Sequence, residues 1–112
     1  MAAPAQAFRS ALQRIGINAP TIAAINENGF ETIIDLSTVQ EDDLDRLPKH
    51  LEAWRDPTAG PNNQVRIPFI SLKKLNAMRY WVLAQHCIGV DNPRAQDFTD
   101  EVIEETLARM QA

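Results

Sequence analysis

His86-Cys87 is the pair that first suggests chemistry, because an imidazole beside a thiol can generate a thiolate nucleophile. On a helix, however, adjacent residues point about 100° apart and do not face one another. No second Cys stands nearby, and the other histidine, His50, falls in a different segment. A structural zinc site fails on the same count, since 1 Cys and 2 His fall short of the usual four protein ligands. Glu41, Asp42, Asp43 and Asp45 form an acidic cluster. A calcium loop needs oxygens at alternate positions around a central Gly, with a closing Glu; neither that Gly nor that spacing occurs. Carboxylates at a helix start account for the first three, because the helix dipole favours them there. The 4 Gly form no phosphate-cradling loop. The sequence therefore predicts no catalytic residue, no metal site and no cofactor, and the chain is not expected to be an enzyme.

What remains is charge, and the charge is segregated. Residues 27–56 carry nine acids and three bases, a net −6. Residues 57–90 carry Arg66, Lys73, Lys74 and Arg79 with no acid, a net +4. One reading is internal, with acidic and basic elements packed side by side in one molecule. The other is an interaction surface, for which the candidates are Asp42, Asp43, Asp45, Arg66, Lys73, Lys74 and Arg79. In that reading the acids of 41–45 meet the bases of 66–79 on another molecule. The alternative partner is nucleic acid, held by segment 66–79, where Arg79-Tyr80-Trp81 sets a base beside two aromatics. Trp81 falls on the apolar stripe with Met78 and Val82, which favours its burial and leaves Tyr80 a thin stacking platform.

These residues need elements to hold them, and the punctuation of the chain defines a bundle of five to six short helices. Phe8, Leu12 and Ile15 recur at helical spacing, and Gly16 ends that helix. Asn18 caps a second helix over 19–27, with Pro20 in its first turn and Asn28-Gly29 as its stop. A very short helix covers 32–36. Thr38 stands three residues before Glu41, the spacing of a capping box, and Leu44 and Leu47 form the inner side of the helix it would start. Pro48 belongs to the first turn of a further helix carrying Leu51 and Trp54. Residues 56–66, rich in Pro, Gly and Asn, are a loop. Pro68 biases Ile67 towards extended structure, and Ser71 is the expected N-cap of the longest helix, over 72–88. Thr99 caps a final helix over 100–110. Leu12, Ile15, Ile25, Ile33, Leu36, Leu44, Leu75, Val82 and Leu107 are the expected core.

The chain has 112 residues, 45% hydrophobic and 23% charged, with a net charge of −4. That suits one globular domain of the all-α class. Its expected plan is a helical subdomain over 1–55, the loop over 56–66, and a helical extension over 67–112 packing on it. An acidic chain is a poor coat for nucleic acid or an anionic membrane, and no apolar run approaches the ~20 residues of a membrane span. Residues 1–6 show no basic or apolar signal pattern, and a single cysteine suits a reducing compartment. The expected setting is intracellular.

Residues 8–51 resemble the SAM-like family of small helical domains, through A-L-Q-R-I-G-I, I-A-A-I-N-E-N-G-F, T-I-I-D-L and E-D-D-L-D-R-L in that order. The helix-hairpin-helix relatives normally show two Gly flanking an apolar residue. Gly16-Ile17-Asn18 and Asn28-Gly29-Phe30 each have one, which speaks against phosphate contacts by such a hairpin. Over its whole length the chain resembles the N-terminal region of gag-like polyproteins of copia-type retrotransposons. The Gly29-Phe30 turn, Asp35-Leu36, Asp42-Asp43-Leu44, I-P-F-I-S-L-K-K-L-N-A-M-R-Y-W and F-T-D-E-V-I-E-E-T-L-A-R-M carry that likeness. Both resemblances imply protein–protein interaction or self-assembly, and SAM-like domains use surfaces of opposite sign for head-to-tail contacts.

Overall fold

In the computed structural model, which describes residues 3–111, the chain is all-α, with no strand among the described residues. Helix α1 spans Pro4–Arg14 and α2 spans Ala19–Glu27. A 3-10 segment, Ile33–Thr38, leads to the one-turn helices α3 (Glu41–Asp45) and α4 (Leu47–His50). A second 3-10 segment, Leu51–Trp54, continues α4. The long helix α5 is Phe69–Cys87, and α6 is Asp100–Gln111.

Helix α1 buries Ala7, Phe8, Ala11 and Leu12, the one stripe its 3.6-residue period can turn inward. It stops where Gly16, at φ +96°, takes the left-handed conformation that lets the chain reverse. The N–H of Ile17 then donates to the carbonyl of Leu12 at 3.2 Å, and that of Gly16 to Gln13 at 3.1 Å. The same pair of bonds closes α2 through Phe30 and Ile25, and α5 through Val90 and Gln85. Asn18 caps α2 as expected, its Oδ1 accepting from the Thr21 N–H at 3.2 Å.

Of the nine expected core residues, eight are buried, and Leu107 is half-buried at the edge of the core. Phe98 adds a buried aromatic that contacts Trp81, ring centroids 5.4 Å apart, and so ties the 95–98 turn to α5. The radius of gyration is 13.7 Å, close to the ~13 Å of a single compact domain of this length. Segment 56–66 runs over the surface and is tied back to the start of α2. Asn18 Nδ2 donates to the Gln64 carbonyl at 2.7 Å, and Val65 is buried.

Two local expectations are corrected. Thr38 does not cap α3; its hydroxyl donates to the Asp35 carbonyl at 2.6 Å, a backbone acceptor three residues back. The α3 start is held instead by Asp43, whose carboxylate accepts the Gln40 N–H at 2.9 Å. Farther along, Trp54 is 38% exposed, and its indole N–H donates to the Glu27 carboxylate at 2.5 Å. Finally, Ser71 does not cap the long helix. Pro68, at ψ 150°, is the capping residue, and its carbonyl accepts the Leu72 N–H at 2.9 Å. Ser71 is buried inside the first turn instead, where its Oγ faces Gly16. A helix beginning three residues early moves Phe69 and Ile70 from an extended segment onto a helical surface.

Candidate interaction surface

Two of the seven candidate residues are engaged on α3, and one on α5. Asp43 serves the start of its own helix through the Gln40 N–H. Asp45 Oδ1 accepts from Asn76 Nδ2 at 2.9 Å, a bond that fastens α3 to α5. Arg79 is half-buried, and its Nε donates to the Val39 carbonyl at 2.7 Å. Its charge thus helps hold the strap that enters α3. Asp42, Arg66 and Lys73 are exposed and Lys74 is half-buried. The Arg66 backbone is pinned by Thr21, whose hydroxyl accepts its N–H at 2.9 Å and donates to its carbonyl at 3.0 Å. That places Arg66 beside Gly16 and Pro61, at a different part of the surface.

Because α3 packs on α5, part of the acidic segment and part of the basic one share a groove. Phe69, Leu72, Lys73 and Asn76 recur at i, i+3, i+4 and i+7 and form its floor from α5. Glu41 and Asp45, one turn apart on α3, form one wall. Leu107 and Met110, at i and i+3 on α6, form the other. The groove encloses about 270 Å³. Phe69 is 70% exposed at its mouth, and neighbouring Ile70 is 59% exposed. The Lys73 ammonium lies 5.3 Å from the centre of the Phe69 ring, within cation–π range.

Opposite charges are close here, yet they are not bonded to each other. Among the described residues the only ion pair within 4.0 Å is Arg94 with Asp97, at 3.1 Å. Packing therefore brings the acidic and basic elements together without spending their charges on one another. Asn76 is 9% exposed, and its Oδ1 has no hydrogen-bond partner among the described residues. Such orphaned acceptors are infrequent in folded proteins.

Elsewhere the surface offers less. A larger cavity of about 580 Å³ is lined by Pro4, Ile33, Ile34, Pro93, Arg94 and Ala95. Its one charged group, Arg94, is already held by Asp97, which also pushes the guanidinium pKa up. Among the described residues no three His, Cys, Asp or Glu side chains converge as metal ligands would. Cys87 is exposed at the end of α5, Tyr80 is exposed, and Trp81 is buried against Phe98. No described helix is long and apolar enough to cross a membrane.

The residues missed by sequence reasoning are Phe69, Leu72 and Asn76. Their spacing with Lys73 is a complete helical stripe, visible once the helix is started at Phe69 and not at 72. No family model, curated protein or solved structure matches the chain.

Proposed function

We propose that this chain is an intracellular protein–protein interaction module that works by self-assembly, and not a catalyst. The observation that carries the reading is the exposed pair Phe69 and Ile70, set on a helix beside an apolar groove with unpaired charges at its rim. A water-facing surface gains nothing from a 70% exposed phenylalanine in isolation. Aromatic residues at the centre of a patch and charges at its edge are the usual anatomy of a protein interface. The SAM-like and gag-like resemblances support the same reading. A nucleic-acid role for 66–79 is less well supported, because Arg79 is tied to a backbone carbonyl and Lys73 stands opposite Glu41 and Asp45. A phosphate backbone would meet those carboxylates at the same face.

Static light scattering on a dilution series from micromolar to millimolar tests the proposal. The apparent mass is expected to rise with concentration. A mass fixed at one chain throughout, at low salt, would overturn it.

A further inference from the structure

The groove between α3, α5 and α6 says which copy-to-copy contact the assembly uses. Resting on the self-assembly reading above, we propose that two copies pair face to face through this groove, about a two-fold axis near Phe69 and Leu72. Each Lys73 then meets Glu41 and Asp45 of the second copy.

Three observations lead there. The first is sign. A patch that binds its own copy about a two-fold must be self-complementary, with the attractive groups of each partner present on both. Glu41 and Asp45 on one wall, and Lys73 on the floor, satisfy that within a single surface. A head-to-tail contact needs the two signs on opposite sides of the molecule, and these residues share one side.

The second observation is that these charges are left without ion-pair partners among the described residues. The Lys73 ammonium lies over the Phe69 ring, and both residues are exposed, so a second copy can reach the cation. The third is the apolar floor. Phe69 projects beside a groove walled by Leu107 and Met110, so each copy supplies both an aromatic knob and a recess for one. Screening by salt and solvent makes any single exposed pair weak, but a two-fold repeats each contact twice, around a desolvated aromatic centre.

The two-fold also fixes the size of the product. An isologous pair is closed, whereas a heterologous contact continues into rings or filaments. Charge reversal and mass together test the proposal. Sedimentation velocity is run on the wild type, on Lys73→Glu, on a Glu41→Lys/Asp45→Lys variant, and on an equimolar mixture of the two. Circular dichroism confirms that each is folded. Phe69→Ala, at an exposed position, tests the apolar centre separately. The expected result is a wild-type species of two chains, with each variant alone dissociating roughly tenfold more readily or worse. The mixture regains the pair, because every reversed lysine then faces a reversed acid. Phe69→Ala weakens the pair without changing the fold.

Association equally strong in the wild type and in all the variants would overturn this contact and leave the self-assembly reading intact. Growth beyond two chains would overturn the two-fold and likewise spare that reading. A wild type that stays a single chain at every concentration would overturn both.

Discussion

Gly16 bears two constraints at once, and they can be separated. Its φ of +96° is one that side chains other than glycine's rarely adopt, and a Cβ there would lie 2.9 Å from Ser71 Oγ. The backbone term alone is worth about 1–2 kcal/mol for an L-residue. Gly16→Ala should therefore destabilise the fold by at least about that much, read from urea unfolding. Adding Ser71→Ala removes the clashing oxygen and not the backbone strain. It should recover part of the loss, so the double variant is more stable than the two single effects summed. Strict additivity would show that the close approach costs nothing. A second residue-scale test concerns Asp56. Its carboxyl is held below the ordinary value, first by the Thr58 hydroxyl and then by the Thr58 N–H, which donates at 2.9 Å. Because the folded pKa is depressed, this bond stabilises at neutral pH. Its contribution is lost as pH falls from the ordinary carboxylate range through the folded pKa. Thr58→Val should raise the Asp56 pKa towards its ordinary value, measured by NMR titration of the carboxyl carbon. An unchanged pKa would mean the hydroxyl is not the main cause.

Elements were legible where their ends are set by covalent chemistry. Gly16 and Gly29 stop α1 and α2, as their freedom at positive φ requires. Asn18 and Thr99 cap the helices that come after them; the Val102 N–H approaches Thr99 Oγ1 at 3.4 Å. Serine and threonine alone proved ambiguous, because a short hydroxyl can serve a nearby backbone carbonyl or fill a gap as readily as cap a helix. Thr38 took the first course and Ser71 the second. The error at Ser71 matters most, since it hid the stripe of Phe69, Leu72, Lys73 and Asn76. The acids and bases of the candidate surface were visible as charges. Which of them would be consumed by internal bonds was not, because Asp45–Asn76 and Arg79–Val39 join residues 31 and 40 positions apart. Leu44 is fully buried on α3, a helix of five residues too short to persist without packing. Leu44→Ala should cost roughly 2–5 kcal/mol and loosen α3 from α5. Chemical denaturation measures the first, and hydrogen exchange at Asn76 and its neighbours the second. A loss under about 1 kcal/mol would mean that the site collapses around the smaller side chain.

At the scale of the whole molecule, the segregated charge of the sequence is partly resolved by folding and partly left over. Helix α3 lies against α5, so the acidic and basic stretches are neighbours, yet neither neutralises the other by direct pairing. What is left over is a face that carries both signs around an apolar centre, at the end of the molecule where α5 begins and α6 ends. In the proposed assembly, copies of the chain meet at this face. An amide chemical-shift dilution series tests that most directly, because it reports association and its location together. Between micromolar and millimolar protein, the amides of residues 41–45, 69–76 and 107–111 should move progressively. Those around Arg66, and those of the Ile88–Val90 turn at the far end of α5, should stay fixed. Raising the salt from 0.1 M to 1 M shortens the Debye length from about 10 Å to about 3 Å and should reduce the shifts. Spectra that superimpose at all concentrations, or shifts confined to the Arg66 and Ile88 regions, would contradict assembly through this face.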